Sequence, residues 1–316
     1  MDLDSKMLFQ WATTAFQRLK EIDKIKTKNQ FEIEKNEKLR EIYKIIIEKV
    51  PHTILKLNRN IPYLYYFYGV TLYYLNKNSG DKEIKENAIR LIKTAIQKTP
   101  VNQSYIEYEK ELVNILINER KINEAISYCF HILQSLPNDK FYLGLTVDLL
   151  LKVNRIDEAI QLQKKIISFY PFEYQHYTEL GRIYFIQKNY EDALQLFIKA
   201  KDIEPKAPEN YKYIGKILLL QNRKAIAGSN FKTAIARKIY NHNEYLKNLK
   251  IFGPDSNKLD ENDNELNTLL FLFECYRDLI LCGEDYSKEL DETGKKLVFK
   301  GYLKENEIEI LKKRGL

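Results

Sequence analysis

The sequence predicts an all-α protein, an α-solenoid in which helical hairpins of equal length are stacked in a row. Apolar residues recur at helical spacing, and the arrangement repeats after 34 residues. The composition agrees: the 316 residues are 44% hydrophobic and 30% charged and include 11 glycines, which argues against disorder and against a β-rich fold. The chain is therefore long and apolar enough to bury a substantial helical core.

The clearest pattern lies in residues 174–207, which predict two helices and a turn. In the first helix, positions i, i+3, i+4 and i+7 of one face are occupied by Tyr177, Leu180, Gly181 and Tyr184. In the second, positions i, i+4 and i+7 are occupied by Ala193, Phe197 and Ala200, and Pro205 ends the helix. A glycine inside a helix costs about 1 kcal/mol relative to alanine. We therefore expect Gly181 to lie where a neighbouring helix approaches closely.

The next 34 residues repeat this spacing, with Tyr211, Ile214, Gly215, Leu218, Ala227, Phe231 and Ala234. The pattern Tyr-x2-Leu-Gly-x2-Tyr, Ala-x3-Phe-x2-Ala, Pro resembles the tetratricopeptide repeat (TPR), with tyrosine where tryptophan is usual. Units 106–139 and 140–173 lack the glycine but keep the leucines, an alanine and the closing proline. Unit 62–102 has Gly69 and about seven additional residues, which we assign to its inter-helix turn. The resemblance thus covers five units, residues 62–241.

The resemblance implies a right-handed superhelix whose concave face captures a segment of another protein. A single unit cannot stand alone, because ordering about 34 residues costs on the order of 50 kcal/mol and two helices bury too little apolar area to offset it. Stacking is therefore obligatory, and the expected function is that of a non-enzymatic adaptor or scaffold.

The flanking segments predict further helices. Residues 1–61 read as an N-terminal hairpin cap with helices over 5–26 and 31–50, in which Trp11 is expected to be a core residue. Residues 242–316 read as a C-terminal extension. The last repeat helix is expected to continue to about Ile251, followed by helices over 264–282, 286–299 and 304–314.

No motif for chemistry is present. The four histidines show no metal or triad spacing, no phosphate loop occurs, and Cys129, Cys275 and Cys282 form no CxxC pair. We therefore expect no enzyme activity, no cofactor and no metal. The N-terminus lacks the features of a signal peptide, and the most apolar run is too short to span a bilayer, so the predicted location is cytoplasmic.

A second stripe on the first helix of each repeat is predicted to face the concave side. It also contains Phe141 and Gly144, and its candidate partner-binding residues are Tyr63, Tyr66, Tyr73, Lys110, Asn114, Asp148, Arg182, Lys212 and Lys216. Tyrosines offer apolar area with a hydroxyl, and the basic residues offer charge-assisted bonds to an acidic or phosphorylated partner. The alternative reading is that all of them are ordinary exposed helix positions.

Two other functions stay open at this point. The helices after Gly253 are candidates for folding back to gate the groove, which makes the chain a ligand-responsive regulator. The tyrosine-rich run YLYYFYGVTLYY is a candidate for stacking on single-stranded nucleic acid, although no lysine or arginine interleaves with it. The net charge of +7 is spread among both signs, which suits solvated helix faces better than a nucleic-acid footprint. The sequence does not name the partner or the oligomeric state.

Overall fold

The computed structural model describes residues 3–24, 36–41, 45, 49, 53, 61–100, 105–252 and 261–313. Within these ranges the regular structure is helical and no strand occurs. The helices are α1 Leu3–Lys24, α2 Pro62–Asn76, α3 Lys82–Lys98, α4 Ile106–Asn118, α5 Ile122–Ser135, α6 Lys140–Lys152, α7 Ile156–Phe169, α8 Tyr174–Ile186, α9 Tyr190–Ile203, α10 Pro208–Leu220, α11 Lys224–Phe252, α12 Glu261–Leu281, α13 Ser287–Phe299 and α14 Glu305–Lys313. The all-α prediction is confirmed.

The chain forms two compact units, residues 1–159 and 160–316, which we call unit 1 and unit 2. In unit 1, α2 packs on α3 and α4 on α5, and α3–α4 and α5–α6 are also in contact. In unit 2, each helix from α8 to α12 contacts the next one along the chain. Each unit therefore consists of hairpins that pack on their sequence neighbours, as expected for a helical repeat.

The inter-helix turns repeat with the period of the sequence. Among the described residues, four that are not glycine have a positive φ of 58° to 62°, and they lie 34 positions apart at Arg120, Asn154, Lys188 and Asn222. The residue after each donates its backbone N–H to a carbonyl five positions back on the first helix, as in Lys121 to Leu116 at 2.8 Å. This is the Schellman arrangement that ends a helix through a left-handed residue. The turn between α2 and α3 is different and contains the inserted residues.

The predicted close approaches are present inside the hairpins. A methyl group on Gly181 would lie 2.9 Å from the ring of Phe197, and one on Gly215 would lie 2.8 Å from the ring of Phe231. Both phenylalanines are fully buried. The glycines thus make room for the large aromatic residues that fill each hairpin.

Helix α1 has the amphipathic face that the sequence predicts, with Ala12, Ala15, Phe16, Leu19 and Ile22 buried. The Phe16 ring meets Phe67 and Tyr74 of α2 edge to face, with centroid distances of 6.0 Å and 5.2 Å. The side chain of Trp11 and most of the predicted helix 31–50 lie outside the described residues, although residues 36–41 are helical. The role of residues 1–61 as a cap stays a prediction.

The C-terminal helices agree with their predicted bounds, and α11 runs unbroken to Phe252. Helix α12 contributes to two apolar clusters. Phe271, Leu272, Cys275 and Leu279 join the core of α10 and α11, while Leu269 and Phe273 pack with residues of α13 and α14. This explains why apolar residues surround α12 on nearly every side.

Candidate partner-binding surface

The aromatic part of the predicted stripe forms a stack in unit 1. The ring of Tyr66 lies on Tyr108 with a centroid distance of 4.3 Å, and Tyr63 approaches both rings at 6.1 Å and 6.5 Å. Burial, aided by the charge of Glu111, raises the pKa of Tyr66 to about 12. Tyr63 is exposed. The stripe predicted from the sequence does not include Tyr108, because this residue occupies a position of α4 next to the stripe.

Tyr73 lies at the other end of α2 and is buried. Its hydroxyl donates a hydrogen bond of 2.9 Å to Glu119, which also pairs with Lys85 at 3.3 Å. Burial and this hydrogen bond raise the pKa of Tyr73 to about 12. The side chain joins the first two repeats, so in this structure it acts in packing.

The stripe continues on α4 and α6 as an exposed surface. Asn114 and Asp148 are exposed, and Lys110 pairs with Glu107 of its own helix at 2.8 Å. Phe141 is 65% exposed although it is a large apolar residue. A methyl group on Gly144 would meet no atom within 4 Å, so the surface beside Phe141 is open.

In unit 2 the basic residues of the stripe are paired within the chain. Arg182 is exposed on α8, and its guanidinium donates to both carboxylate oxygens of Glu179 at 2.9 Å and 3.1 Å. Lys212 and Lys216 lie on α10, and their side chains are only 12% and 14% exposed. Both point to α12.

The two lysines meet two carboxylates of α12. Lys212 Nζ lies 3.2 Å from Glu274, and Lys216 Nζ lies 3.7 Å from both Glu274 and Asp278. Burial raises the pKa of Glu274, but the two lysines outweigh it, so the pKa lies below its ordinary value. Lys212 Nζ also lies 4.5 Å from the centre of the Phe271 ring, a cation–π distance. The two lysines of the predicted stripe on α10 are thus covered by α12.

A sequence model of the family described as "Integrator complex subunit 8, TPR repeats" matches residues 9–228. The chain belongs to this family of TPR repeats. Its hairpins, the 34-residue spacing of its turns and its glycine–phenylalanine contacts are the structural counterparts of that match.

Solved TPR structures are similar to this TPR chain at low sequence identity. The C-terminal part of a TPR repeat-containing protein from Cytophaga hutchinsonii is 15% identical, with a TM-score of 0.55, and the match covers 96% of this chain and all of the other. MamA from Desulfovibrio magneticus RS-1 is 18% identical over 57% of this chain and 97% of its own, with a TM-score of 0.43. YrrB, described as a TPR protein with an unusual peptide-binding site, is 13% identical over 60% of this chain and 93% of its own, with a TM-score of 0.42. No curated protein sequence matches this TPR chain.

None of the helices in the described residues is long and apolar enough to cross a membrane. Among the same residues no group of three or more histidine, cysteine, aspartate or glutamate side chains is arranged to hold a metal ion.

Sequence reasoning identified the lysines of α10 but not the carboxylates that pair with them. Glu274 and Asp278 are four residues apart and therefore share a face of α12. The signal was the pair of acidic residues within a mostly apolar run whose one cation is Arg277, because a buried carboxylate needs a cation. A second residue that the sequence did not single out is Glu109, which is buried and lies against His131.

Proposed function

We propose that this TPR protein is a non-enzymatic adaptor that binds a segment of another protein along the exposed stripe of α4 and α6 in unit 1. The observation that carries the proposal is Phe141, which is 65% exposed beside the open surface at Gly144. An exposed aromatic ring next to a glycine offers an apolar anchor and room for an incoming chain.

The side chains around this anchor suit an extended or helical segment. Asn114 and Asp148 occupy equivalent places on α4 and α6 and are both exposed, so each repeat presents one polar group that is able to hydrogen-bond. Tyr63 adds an exposed ring on α2. A partner segment that carries an apolar residue flanked by polar ones matches this order.

A more specific form of the proposal is that the partner segment is acidic or phosphorylated. Such a segment has to compete with carboxylates of this chain. Lys110, Arg182, Lys212 and Lys216 all pair with carboxylates of this chain. An acidic segment therefore has to replace an internal carboxylate, whereas a neutral segment at Phe141 displaces only water. We expect the first to be sensitive to salt and the second much less so.

The test compares two exposed phenylalanines. Partners are recovered by affinity purification, and their affinity is measured directly for the wild type, Phe141→Ala and Phe172→Ala. The last variant is the control, because it removes an 86% exposed ring outside the stripe. Loss of an anchor residue costs about 2 kcal/mol, so we expect binding to Phe141→Ala to be about 30-fold weaker. Phe172→Ala should bind as the wild type does. Equal affinity for the wild type and Phe141→Ala, with unchanged circular dichroism, would move the site away from this stripe.

A second candidate function is autoinhibition by α12, and the contacts of Lys212 and Lys216 with Glu274 favour it. In this candidate α12 occupies the place of an acidic partner on α10. Glu274→Gln removes one charge and keeps the shape and the apolar contacts of α12. If α12 competes with an acidic partner, the variant binds that partner more tightly, and unchanged affinity means that α12 is a permanent cap.

A further inference from the structure

A cavity of about 440 Å³ lies in unit 1 where the second helix of the first repeat meets the second repeat. Apart from Ile96 and Gln97, its wall is formed by hydroxyl, aromatic and acidic side chains, namely Thr99, Tyr105, Glu109, Ser127, Tyr128 and His131. Among the described residues that line it there is no lysine or arginine. The wall therefore carries acceptors and rings and one acidic side chain.

Glu109 is the unusual residue of this wall. Its side chain is 2% exposed, and its Oε1 atom lies 2.6 Å from Nδ1 of His131, whose side chain is 43% exposed. Its second oxygen, Oε2, is buried and has no hydrogen-bond partner among the described residues. A buried carboxylate oxygen without a donor is costly, so such a group in a native protein needs an explanation.

The buried position of the Glu109 carboxyl shifts its own pKa and that of the neighbouring Tyr128. Burial raises the pKa of Glu109, and the neighbouring His131 opposes that shift. Burial also raises the pKa of Tyr128, and the Glu109 carboxylate adds to it. A positive charge in the cavity would relieve both effects, because it favours the ionised carboxylate.

Aromatic faces complete the wall. The rings of Tyr105 and His131 are stacked with a centroid distance of 5.7 Å and an interplanar angle of 22°. Aromatic faces attract guanidinium and ammonium groups, and a carboxylate at the base of such a site supplies the opposite charge.

We propose that this cavity binds one cationic group, with Glu109 as its counter-ion and the rings of Tyr105, Tyr128 and His131 as its walls. The ligand chemistry is an alkyl guanidinium or ammonium, from an arginine or lysine side chain of another protein or from a free amine. The half-exposed His131 covers Glu109, so a shift of its imidazole is the route by which the cation reaches Oε2. The site does not depend on the stripe at Phe141, because it lies on the side of α4 that faces α5.

The test follows the imidazole resonances by NMR. The chain has four histidines, and the His131 signal is assigned with His131→Asn. Butylguanidinium is titrated into the full chain, with neutral butyramide as the control probe. We expect a saturable shift of the His131 signal with butylguanidinium and none with butyramide. Glu109→Gln should weaken binding by about tenfold or more, because a charge-assisted bond is lost.

Glu107→Gln is the matched control variant, since Glu107 lies on the same helix but pairs with Lys110 at the surface. It should bind butylguanidinium as the wild type does. The absence of a saturable shift in the wild type, or equal binding by Glu109→Gln, would overturn the proposal. If Glu109→Gln fails to fold, Tyr128→Leu replaces it, with an expected weakening of about threefold or more from the lost cation–π contact and the same overturning result.

A second arm distinguishes the two sources of the cation. The peptide acetyl-Gly-Arg-Gly-amide presents the same guanidinium on a protein backbone. If the peptide binds about tenfold more tightly than butylguanidinium, its backbone adds contacts. That result indicates that the natural ligand is a basic segment of a protein. Equal affinities indicate a free cation.

Discussion

The same stripe of the repeats' first helices is exposed on α4 and α6 in unit 1 and covered on α10 in unit 2. On α4 and α6 the stripe side chains Asn114, Phe141 and Asp148 are exposed, while on α10 the equivalent lysines are shielded by α12. The repeat sequence is the same kind in both units, so the difference does not come from the hairpin. It comes from the C-terminal helix, which supplies carboxylates and apolar residues to α10. A shared repeat pattern thus fixes where a surface is, and the residues that follow the repeats decide whether it is free.

The largest expected effect comes from removing the buried charge that anchors α12. Asp278 is fully buried and accepts bonds of 3.0 Å and 2.7 Å from the guanidinium of Arg277, which is itself buried. In Asp278→Ala the buried guanidinium loses its carboxylate partner and keeps only a neutral acceptor, the carbonyl oxygen of Leu311 at 3.3 Å. We therefore expect a loss of about 3–5 kcal/mol in unfolding free energy. The measurement is urea denaturation followed by circular dichroism.

Asp148→Ala is the control for that variant, because Asp148 is an exposed aspartate of the open stripe. Its effect should stay within about 0.5 kcal/mol. Hydrogen exchange locates the damage: Asp278→Ala should speed exchange in α10 and α12 and leave α4 and α6 unchanged. Equal destabilisation by the two variants would mean that the cover on α10 adds nothing to stability.

The next effect uses two helical glycines with opposite surroundings. In Gly181→Ala the new methyl group lies 2.9 Å from Phe197, so we expect a loss of about 1–3 kcal/mol from overpacking. In Gly144→Ala the methyl group meets nothing within 4 Å, and the better helix propensity should stabilise the chain by about 0.5–1 kcal/mol. The two variants are compared by thermal denaturation. The same sign for both would contradict the structural difference between the sites.

Gly181 is an example of a structural role that can be predicted from the sequence. The packing role of Gly181 followed from its place in a repeating pattern with Phe197, because the phenylalanine ring fits inside the hairpin only where the facing residue has no side chain. The helices after residue 242 followed from apolar spacing and agree with the structure. The repeat pattern carries this information because it describes contacts between neighbours along the chain.

The pairing of Lys212 and Lys216 with α12 was not predictable in the same way. The two lysines and Glu274 are about 60 residues apart, and no repeat rule connects a solenoid helix to the segment after it. The buried Glu109–His131 contact was hidden for another reason. A glutamate one position from the stripe reads as surface until the partner helix places a histidine over it.

Stability should depend on pH in opposite ways through Glu109 of unit 1 and Glu274 of unit 2. Burial raises the pKa of Glu109 above its ordinary value of 4.5, with His131 and Tyr128 as the neighbouring titratable groups. The folded state then holds a proton that the unfolded chain releases, so stability falls as pH rises from about 4.5 through the raised pKa. Glu109→Gln removes this loss.

The melting temperature of Glu109→Gln relative to the wild type should therefore be higher at pH 8 than at pH 4.5. Glu274→Gln should behave in the opposite way. The pKa of Glu274 is lowered, so the wild type gains stability from this group above its ordinary pKa and loses it as pH falls through the lowered one. Parallel pH profiles for the two variants would show that the carboxylates are in equivalent environments.

The smallest expected effect tests what the two units share. Arg120 of unit 1 and Lys188 of unit 2 adopt left-handed φ angles of 58° and 62° in equivalent turns. Residues with a Cβ pay about 1 kcal/mol or more for this conformation, while glycine does not, although it loses more entropy on folding. Arg120→Gly and Lys188→Gly should each raise unfolding free energy by about 0.5 kcal/mol. Asn154→Gly should gain less, because asparagine tolerates the left-handed region.

Similar gains for Arg120→Gly and Lys188→Gly would mean that the turn is a property of the repeat itself. A gain in only one unit would mean that its neighbours, and not the 34-residue pattern, set the turn, because the strain of the residue itself is the same in both.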